Sequence, residues 1–357
     1  VVGKHTDYAA GRSVVCAVDR GLVMVFRKRA DGVLRVSSCD VCAGAGKEVV
    51  EIALDDPAQA LDTDGWAKYV SAVVQFLRSR KVELHGVDIA IKSSLPQNSG
   101  LSSSSAIVCG ITAILRGLSC ANGEVDLNSL SVDDLGLTEA MDLVGTRGGS
   151  QDHAAIMKSK QGMLSLFDYS AGTRLVEQIA MPAHLCFAIA VSGVSACKTG
   201  NALERYNRLA TSSHEEKVAR AQAETQNVVS LAWAGFGEDS REKLVKAIAE
   251  SQRHAETSLQ TTVPETEWLP AEALRLGAIG STTFGAGFGG SVYALVDRDS
   301  AADFLDSWRS GYTRAFPAHA EQAQFFVVRE PGSGMSHLGS VNLTSALNAQ
   351  AVDASTS

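Results

Sequence analysis

The amino-acid sequence predicts an α+β protein of two domains. Candidate strands and helices follow one another irregularly, without a repeated strand–helix–strand unit, which disfavours a doubly wound parallel sheet. The chain has 357 residues, enough for two hydrophobic cores, and its 45% hydrophobic and 20% charged residues are typical of a globular protein. A buried strand near Cys186 marks the expected boundary. We therefore expect an N-terminal domain over residues 1–182, a C-terminal domain over 183–335 and a weakly patterned tail over 336–357.

The first half of the chain contains three strand patterns and two helix patterns. Residues 66–80 (WAKYVSAVVQFLRSR) have apolar side chains at helical spacing and end in basic residues, where the helix dipole favours them. Residues 86–93 (GVDIAIKS) alternate apolar and polar side chains, as a half-buried strand does. Residues 106–118 form too long an apolar run for a strand, which predicts a buried helix. The remaining predicted strands cover residues 13–28 and 162–169.

The second half is predicted to begin with a buried strand over residues 186–191 (CFAIAV) and a loop over 193–200. Residues 201–258 are polar, charged and free of proline, which predicts two or more helices. We then expect a short helix, a strand, a helix and a final strand, over residues 271–276, 291–296, 301–315 and 323–328.

Charge and cysteine content narrow the possible partners and the compartment. The formal net charge of −8 disfavours binding to nucleic acid through a general basic surface. Seven cysteines, an odd number, are expected to be reduced thiols of a cytoplasmic protein. No apolar stretch is long enough to span a membrane and no signal peptide is visible. Nothing in the sequence indicates one oligomeric state over another.

A run of four serines lies between a predicted strand and a predicted helix, in the stretch LPQNSGLSSSSAIVCG. Pro96 ends the strand, and the serines lead directly into the apolar helix. The first turn of a helix has unpaired N–H groups and the positive end of the dipole, which together bind phosphate. One serine is enough to cap a helix. Four favour a phosphate or Mg²⁺ site over simple capping.

A glycine-rich stretch, GAIGSTTFGAGFGGSVYALV, begins at Gly277. Gly285, Gly287 and Gly290 fit the spacing G-x-G-x-x-G, but here the glycines precede a strand, whereas the dinucleotide-binding fingerprint follows one. We therefore reject a dinucleotide fold. Two interpretations stay open: a tight turn within the core, or a loop pressed against a ligand or against the serine run, because glycine permits close backbone approach.

Two further stretches carry candidate catalytic and binding groups. In GTRGGSQDHAAI, Gly148 and Gly149 precede Asp152, whose carboxylate is either a base or a helix cap. In VVGKHTDYAAG, a glycine-flanked cluster of donors and acceptors suits either a polyhydroxylated ligand or an ordinary surface turn.

Taken together, these stretches resemble the motifs of the GHMP kinase superfamily and, within it, the galactokinases. Gly3-Lys4-His5-Thr6-Asp7-Tyr8 matches the family stretch Gly-Glu-His-Thr-Asp-Tyr except at Lys4. The serine run matches the second motif, and the glycine-rich stretch matches the third. All three occur in family order over nearly the whole chain. The resemblance therefore implies a two-domain GHMP kinase fold, with an N-terminal domain like ribosomal protein S5 domain 2 and a ferredoxin-like C-terminal domain.

The resemblance also implies an activity and a set of site residues. We expect an ATP-dependent sugar kinase that makes a sugar 1-phosphate from galactose or a related sugar, with ATP and sugar meeting between the domains. Asp152 would be the catalytic residue, and the sugar would be bound by Lys4, His5, Asp7, Gly149 and Tyr206. Mg²⁺ would be bound by Ser104 and by the carboxylate of either Glu139 or Asp142. The residues expected to bind ATP are Pro96, Gly100, Leu101, Ser102, Ser103, Ser104, Gly287 and Gly289.

Lys4 is the main departure from the family pattern, because galactokinases have a sugar-contacting glutamate at that position. A lysine there favours a carboxylate-bearing sugar such as a uronic acid, or only forms a salt bridge. A kinase of another alcohol, such as mevalonate or homoserine, is disfavoured by the His-Thr-Asp-Tyr turn and Tyr206. A non-catalytic sensor that binds ATP and sugar is disfavoured by Asp152, because a sensor has no need of a base.

Overall fold

A computed structural model of the protein describes residues 1–38, 49–56, 65–96, 99–120, 126–195 and 200–336. The predicted tail lies outside these residues except for Ser336, and part of the predicted loop over 193–200 also lies outside them. Within the described ranges, helices and strands are mixed irregularly in three sheets, as the sequence predicts.

The first sheet has four strands in the order β2-β5-β3-β4: β2 (Leu22–Lys28), β3 (Val33–Ser38), β4 (Val49–Ala53) and β5 (Val87–Ser93). The pair β3–β5 is parallel, and the other two pairs are antiparallel. Two helices, α1 (Ala67–Ser79) and α2 (Ser103–Leu118), cover one face of this sheet and share a hydrophobic core with it. The core anchors α2, so the residues just before it have a fixed position.

The second sheet is antiparallel, in the order β1-β6-β7: β1 (Arg12–Val15), β6 (Met163–Asp168) and β7 (Arg174–Ala180). Two short helices, α3 (Val132–Glu139) and α4 (Gln151–Lys158), lie between this sheet and α2 in the fold. The contacts of α2 with both α3 and α4 bring residues 105, 139 and 152 to one region of the molecule.

A helical segment follows the strand β8 (Leu185–Val191), as predicted for residues 201–258. It contains α5 (Gly200–Thr211), α6 (His214–Glu224), α7 (Ser230–Gly237) and α8 (Arg241–His254). A π-helical turn over Thr225–Val229 joins α6 to α7, and a second π-helical turn over Ala255–Leu259 extends α8. Such turns re-aim the residues beside them and are frequent at functional sites.

The third sheet is antiparallel, in the order β11-β8-β10-β9, with β9 (Gly280–Thr283), β10 (Ser291–Asp297) and β11 (Gln324–Val328). On one face α9 (Pro264–Arg275) and α10 (Ala301–Ala315) enclose a core around Trp308. The other face packs against α7 and α8 and against residues of β1 and β6. One core therefore contains residues of both halves, and the predicted boundary at residue 182 stays a prediction.

Several predicted elements need correction. The strand predicted over 13–28 is two strands in different sheets, because the chain leaves β1 after Val15 and re-enters a sheet only at Leu22. The short helix predicted over 271–276 begins at Pro264, since proline is tolerated in the first helical turn. The strands β3, β4, β7 and β9 and the helices α3 and α4 were not predicted. Of these, β7 is mostly exposed and has no clean alternation.

Candidate active site

A cleft of about 740 Å³, including the part open to solvent, lies where the chain's first residues meet α3, α4, α5 and the glycine-rich loop. Predicted residues from distant parts of the sequence line it: Lys4, His5, Asp7, Glu139, Gly149, Asp152 and Tyr206. Ser105, Gln151 and His153, which were not predicted, also line it.

The serine run turns sharply into α2. Gly100 (φ 74°) and Ser102 (φ 60°) have left-handed backbone conformations, and the helix begins at Ser103. The Ser102 side chain makes no capping hydrogen bond, so simple capping by this residue is not the reason for the run. With the described residues, the hydroxyls of Ser102, Ser103 and Ser104 form no hydrogen bond. Their hydroxyls and the unpaired N–H groups of the first helical turn can therefore bind phosphate oxygens.

The glycine-rich loop packs directly against the serine run, as one of the two interpretations predicted. A Cβ at Gly285 would lie 2.8 Å from the carbonyl oxygen of Gly100, and the Ser291 hydroxyl donates to the Ser99 carbonyl at 2.7 Å. Two loops joined by a hydrogen bond between residues 192 apart in the sequence thus form one surface.

None of the residues predicted to bind ATP lines the cleft; from the serine run only Ser105 does. The predicted residues outside the serine run have structural contacts elsewhere. Gly287 lies against Thr261, whose carbonyl accepts the Phe288 amide, and Gly289 lies against the Val194 carbonyl. Leu101 packs against the core that the third sheet forms with α7, α8, β1 and β6. Pro96 is buried, and its carbonyl accepts a hydrogen bond from the Ser99 hydroxyl.

Of the two carboxylates considered as Mg²⁺ ligands, Glu139 and Asp142, Glu139 is the one that lines the cleft. It is buried at the end of α3, accepts a hydrogen bond from the Ser105 hydroxyl at 2.6 Å and lies 3.1 Å from Nε2 of His153. Its rival Asp142 has a side chain 98% exposed, 3.4 Å from Arg147, and does not line the cleft. Among the described residues no group of three or more His, Cys, Asp or Glu could hold a metal ion. A cation here would need further oxygen ligands.

Asp152 lies in the first turn of α4, beside the glycines that precede this helix. Among the described residues, no hydrogen bond or ion pair engages its carboxylate, although it lines the cleft. The alternative of a helix-capping aspartate does not apply, because Ser150 precedes the helix and Asp152 lies within it. A free carboxylate in a cleft can accept a proton or a hydrogen bond from a bound hydroxyl.

Residues 3–8 form a tight loop, which we call the sugar loop, and this loop lies beside Asp152. Its Asp7 accepts the Gln151 amide at 3.0 Å, and Nδ1 of His5 lies 2.7 Å from the Tyr8 hydroxyl. Burial raises the pKa of the Asp7 carboxyl; the Gln151 N–H lowers it, and the nearby charge of Asp152 raises it. The turn therefore brings two carboxyls to one side of the cleft.

Tyr206, on α5, closes this side of the cleft. Its ring centroid lies 5.5 Å from that of His5, and its hydroxyl would be 2.7 Å from a Cβ at Gly148.

Asn207, the neighbour of Tyr206, accepts a hydrogen bond from the Arg147 amide at 2.9 Å and donates one to the Gly145 carbonyl at 2.8 Å. Helix α5 thus holds the glycine segment that leads to Asp152. The Arg147 side chain itself is 60% exposed and does not line the cleft.

The Lys4 ammonium points from the cleft into the C-terminal half. It donates to the Ser251 carbonyl at 3.0 Å and lies 2.7 Å from Thr282 Oγ1 and 3.4 Å from Thr283 Oγ1. Burial lowers the pKa of Lys4 to about 8, against the opposing charges of Glu224 and Glu256. The predicted salt bridge is replaced by hydrogen bonds to neutral oxygens.

Comparison with known proteins identifies the class of fold. The family model of the GHMP kinases N terminal domain matches residues 68–160, and that of the GHMP kinases C terminal domain matches residues 234–314. The chain belongs to the GHMP kinase superfamily, and the predicted GHMP kinase fold is confirmed.

Individual relatives are similar over most of their length. A galactokinase from Ligilactobacillus salivarius is 25% identical over 349 residues, covering 88% of this chain and 87% of that protein. The crystal structure of Lactococcus lactis galactokinase complexed with galactose is 20% identical, with a TM-score of 0.78 over 94% of this chain and 92% of that one. Methanococcus jannaschii mevalonate kinase is 16% identical, with a TM-score of 0.64 over 91% and 93%. In the described part of the chain, no helix is both long and apolar enough to cross a membrane.

Proposed function

We propose that the protein is an ATP-dependent galactokinase-type enzyme, which transfers the γ-phosphoryl group to the anomeric hydroxyl of galactose or a related sugar. The galactokinase relatives support this activity. The observation that carries it is the unpartnered Asp152 carboxylate, in a cleft between the sugar loop and the surface made by the serine run and glycine-rich loop. A cytoplasmic location stays a prediction from the sequence.

Asp152 acts on the sugar hydroxyl. Its carboxylate accepts the hydrogen bond from the anomeric hydroxyl and takes the proton as that oxygen attacks the γ-phosphorus. The new C1–O–P linkage forms as the bond from the γ-phosphorus to the bridging oxygen of ADP breaks. Such a base contributes about 10²–10⁴ in rate. Asp7, His5, Gly149 and Tyr206 orient the sugar, since they lie on the same side of the cleft as Asp152.

The serine run holds the phosphates. Phosphoryl transfer depends mainly on positioning and on neutralising charge, and the helix-start N–H groups with the hydroxyls of Ser102, Ser103 and Ser104 supply both. Backing by Gly285 keeps the loop in place.

The residues near Glu139 fit Mg²⁺. A buried carboxylate beside a serine hydroxyl provides hard oxygen donors, and Mg²⁺ in such sites is completed by water and substrate phosphates. Glu139 would hold the ion, with Ser105 orienting its carboxylate. Ser104, the ligand that the family resemblance implies, is the residue before Ser105 in the first turn of α2. When bound, Mg²⁺ neutralises charge on the phosphates of ATP.

Other activities are less well supported. A uronic acid would require a cation free to bind its carboxylate, and all three donors of Lys4 are directed to protein oxygens. A non-catalytic sensor would have no use for the free Asp152 carboxylate. The mevalonate kinase likeness is weaker than the likeness to galactokinase.

A substrate panel tests the proposal. ADP release is measured with ATP, Mg²⁺ and, in turn, galactose, other hexoses, galacturonate, glucuronate, mevalonate and homoserine. We expect turnover with galactose or a related neutral sugar. Asp152→Asn is expected to lower kcat at least about a hundredfold and leave ATP binding unchanged. ADP release that no sugar increases would refute the kinase activity, and tight sugar binding without turnover would favour a sensor.

A further inference from the structure

Lys4 joins the sugar loop to elements that lie some 250 residues further along the chain. Its three acceptors belong to α8 and β9: the Ser251 carbonyl and the hydroxyls of Thr282 and Thr283. An ammonium has three N–H donors, so this set accounts for all of them. We call the three acceptors the lysine cradle.

The cradle is itself fixed by hydrogen bonds. The Thr282 hydroxyl donates to Gln252 Oε1 at 2.9 Å, and the Thr283 amide donates to the same oxygen at 3.0 Å. Gln252 in turn donates to Glu256 at 2.8 Å. Both threonines are fully buried in β9 and neither lines the cleft. A ligand in the cleft therefore has no contact with them.

The residue before Lys4 is held by a buried carboxylate. The Gly3 amide donates to Glu224 Oε1 at 3.2 Å, and Glu224 Oε2 lies 2.5 Å from Nδ1 of His254. Glu224 is the last residue of α6, directly before a π-helical turn, and its side chain reaches the start of the sugar loop. Its negative charge also lies close enough to favour the charged form of Lys4. The start of the sugar loop is thus fixed by both residues.

Residues just beyond Lys4 face the cleft. His5 has a left-handed backbone conformation (φ 57°), and Asp7 follows two residues later. The direction in which both side chains enter the cleft depends on where the chain leaves Gly3 and Lys4.

We infer that Lys4 is a positioning residue of the sugar site, whose ammonium, seated in the lysine cradle, fixes the sugar loop and thereby the sugar contacts of His5 and Asp7. This inference rests on the proposed sugar kinase activity. It replaces direct contact between Lys4 and the sugar, because the ammonium donors are already engaged.

Substitutions in the cradle separate positioning from direct contact. Thr282→Val keeps the side-chain shape and removes the hydroxyl that Lys4 contacts, and Thr282→Ser keeps that hydroxyl. We expect Thr282→Val to raise the KM for sugar about tenfold or more, with kcat and the KM for ATP nearly unchanged. Thr282→Ser should restore the wild-type KM. Lys4→Met should reproduce the effect of Thr282→Val.

Ser281→Ala is the matched control. Ser281 is also buried in β9, but its hydroxyl donates to the Tyr293 carbonyl and not to the cradle, so its loss should leave the KM for sugar unchanged. Thermal unfolding checks that each variant is folded; should Lys4→Met not fold, the threonine variants still decide. A wild-type KM for sugar in folded Thr282→Val, or an equal rise in Ser281→Ala, would overturn the inference. An inactive wild-type enzyme would instead refute the proposed function, and the inference with it.

Discussion

Replacing Gly149 with alanine tests the contact between the sugar loop and the segment that carries Asp152. An added Cβ would lie 2.5 Å from Cγ of Asp7 and 2.9 Å from its Cβ, both too close for carbon atoms. Gly149 does not have a left-handed backbone conformation, so the backbone accepts alanine and the clash falls on Asp7. Asp7 must then turn away from its place in the cleft.

The size of the effect follows from the bond that is lost. When Asp7 turns away, its carboxyl gives up the 3.0 Å hydrogen bond from the Gln151 amide that orients it, and with it the hydrogen bond that the proposed function gives Asp7 to a sugar hydroxyl. Hydrogen bonds to charged groups contribute about 1.5–3 kcal/mol. Since about 1.4 kcal/mol corresponds to a factor of ten, we expect the KM for sugar to rise about 10- to 100-fold. The KM for ATP should not change, because the serine run is untouched.

Steady-state kinetics with sugar and ATP varied separately measure both constants. Gly21→Ala is the control, because a Cβ there would meet no atom within 4 Å. A folded Gly149→Ala enzyme with a wild-type KM for sugar would refute the reasoning, since it would mean that the position of Asp7 does not affect sugar binding.

Two other predictions concern the metal candidate and pH. Glu139→Gln should lower kcat and raise the Mg²⁺ concentration that gives half-maximal rate, whereas Asp142→Asn should do neither; equal effects in a Mg²⁺ titration of the rate would contradict the assignment. The hydrogen bond with Glu224 raises the pKa of His254 above its usual 6.5. Protonated His254 therefore stabilises the fold fully below that pH, and the advantage of wild type over His254→Gln in free energy of unfolding should shrink as the pH rises through the folded-state pKa. Urea unfolding at several pH values measures this difference, and an advantage that grows with pH would show that the sign is wrong.

Some local structure around the candidate site could be predicted from the sequence. The serine run is the entrance to a buried helix, because proline, glycine and serine have strong local preferences at strand ends and helix starts. The glycine-rich loop lies against the serine run, which is one of the two interpretations that the sequence left open. The fold class followed from the irregular order of strong helix and strand patterns. The roles given to Asp152 and to the sugar-side residues stay predictions.

Long-range contacts were not predictable in the same way. The acceptors of Lys4 are 247 to 279 residues away, and nothing near Lys4 in the sequence indicates them. The choice between Glu139 and Asp142 also needed three dimensions: α3 ends at Glu139, so Asp142 lies beyond it in the exposed connection. Ser105 was missed because the motif directed attention to Ser104, whereas the helix turns the next hydroxyl towards Glu139.

The position of the transferred phosphate tests the central claim most directly. The protein is incubated with galactose, ATP and Mg²⁺, or with the best neutral sugar of the panel, and the product is examined by phosphorus NMR with coupling to sugar protons. We predict one phosphomonoester coupled to the anomeric proton, absent when Asp152→Asn replaces the wild-type enzyme. A phosphate on another carbon, or only inorganic phosphate from ATP, would contradict the account.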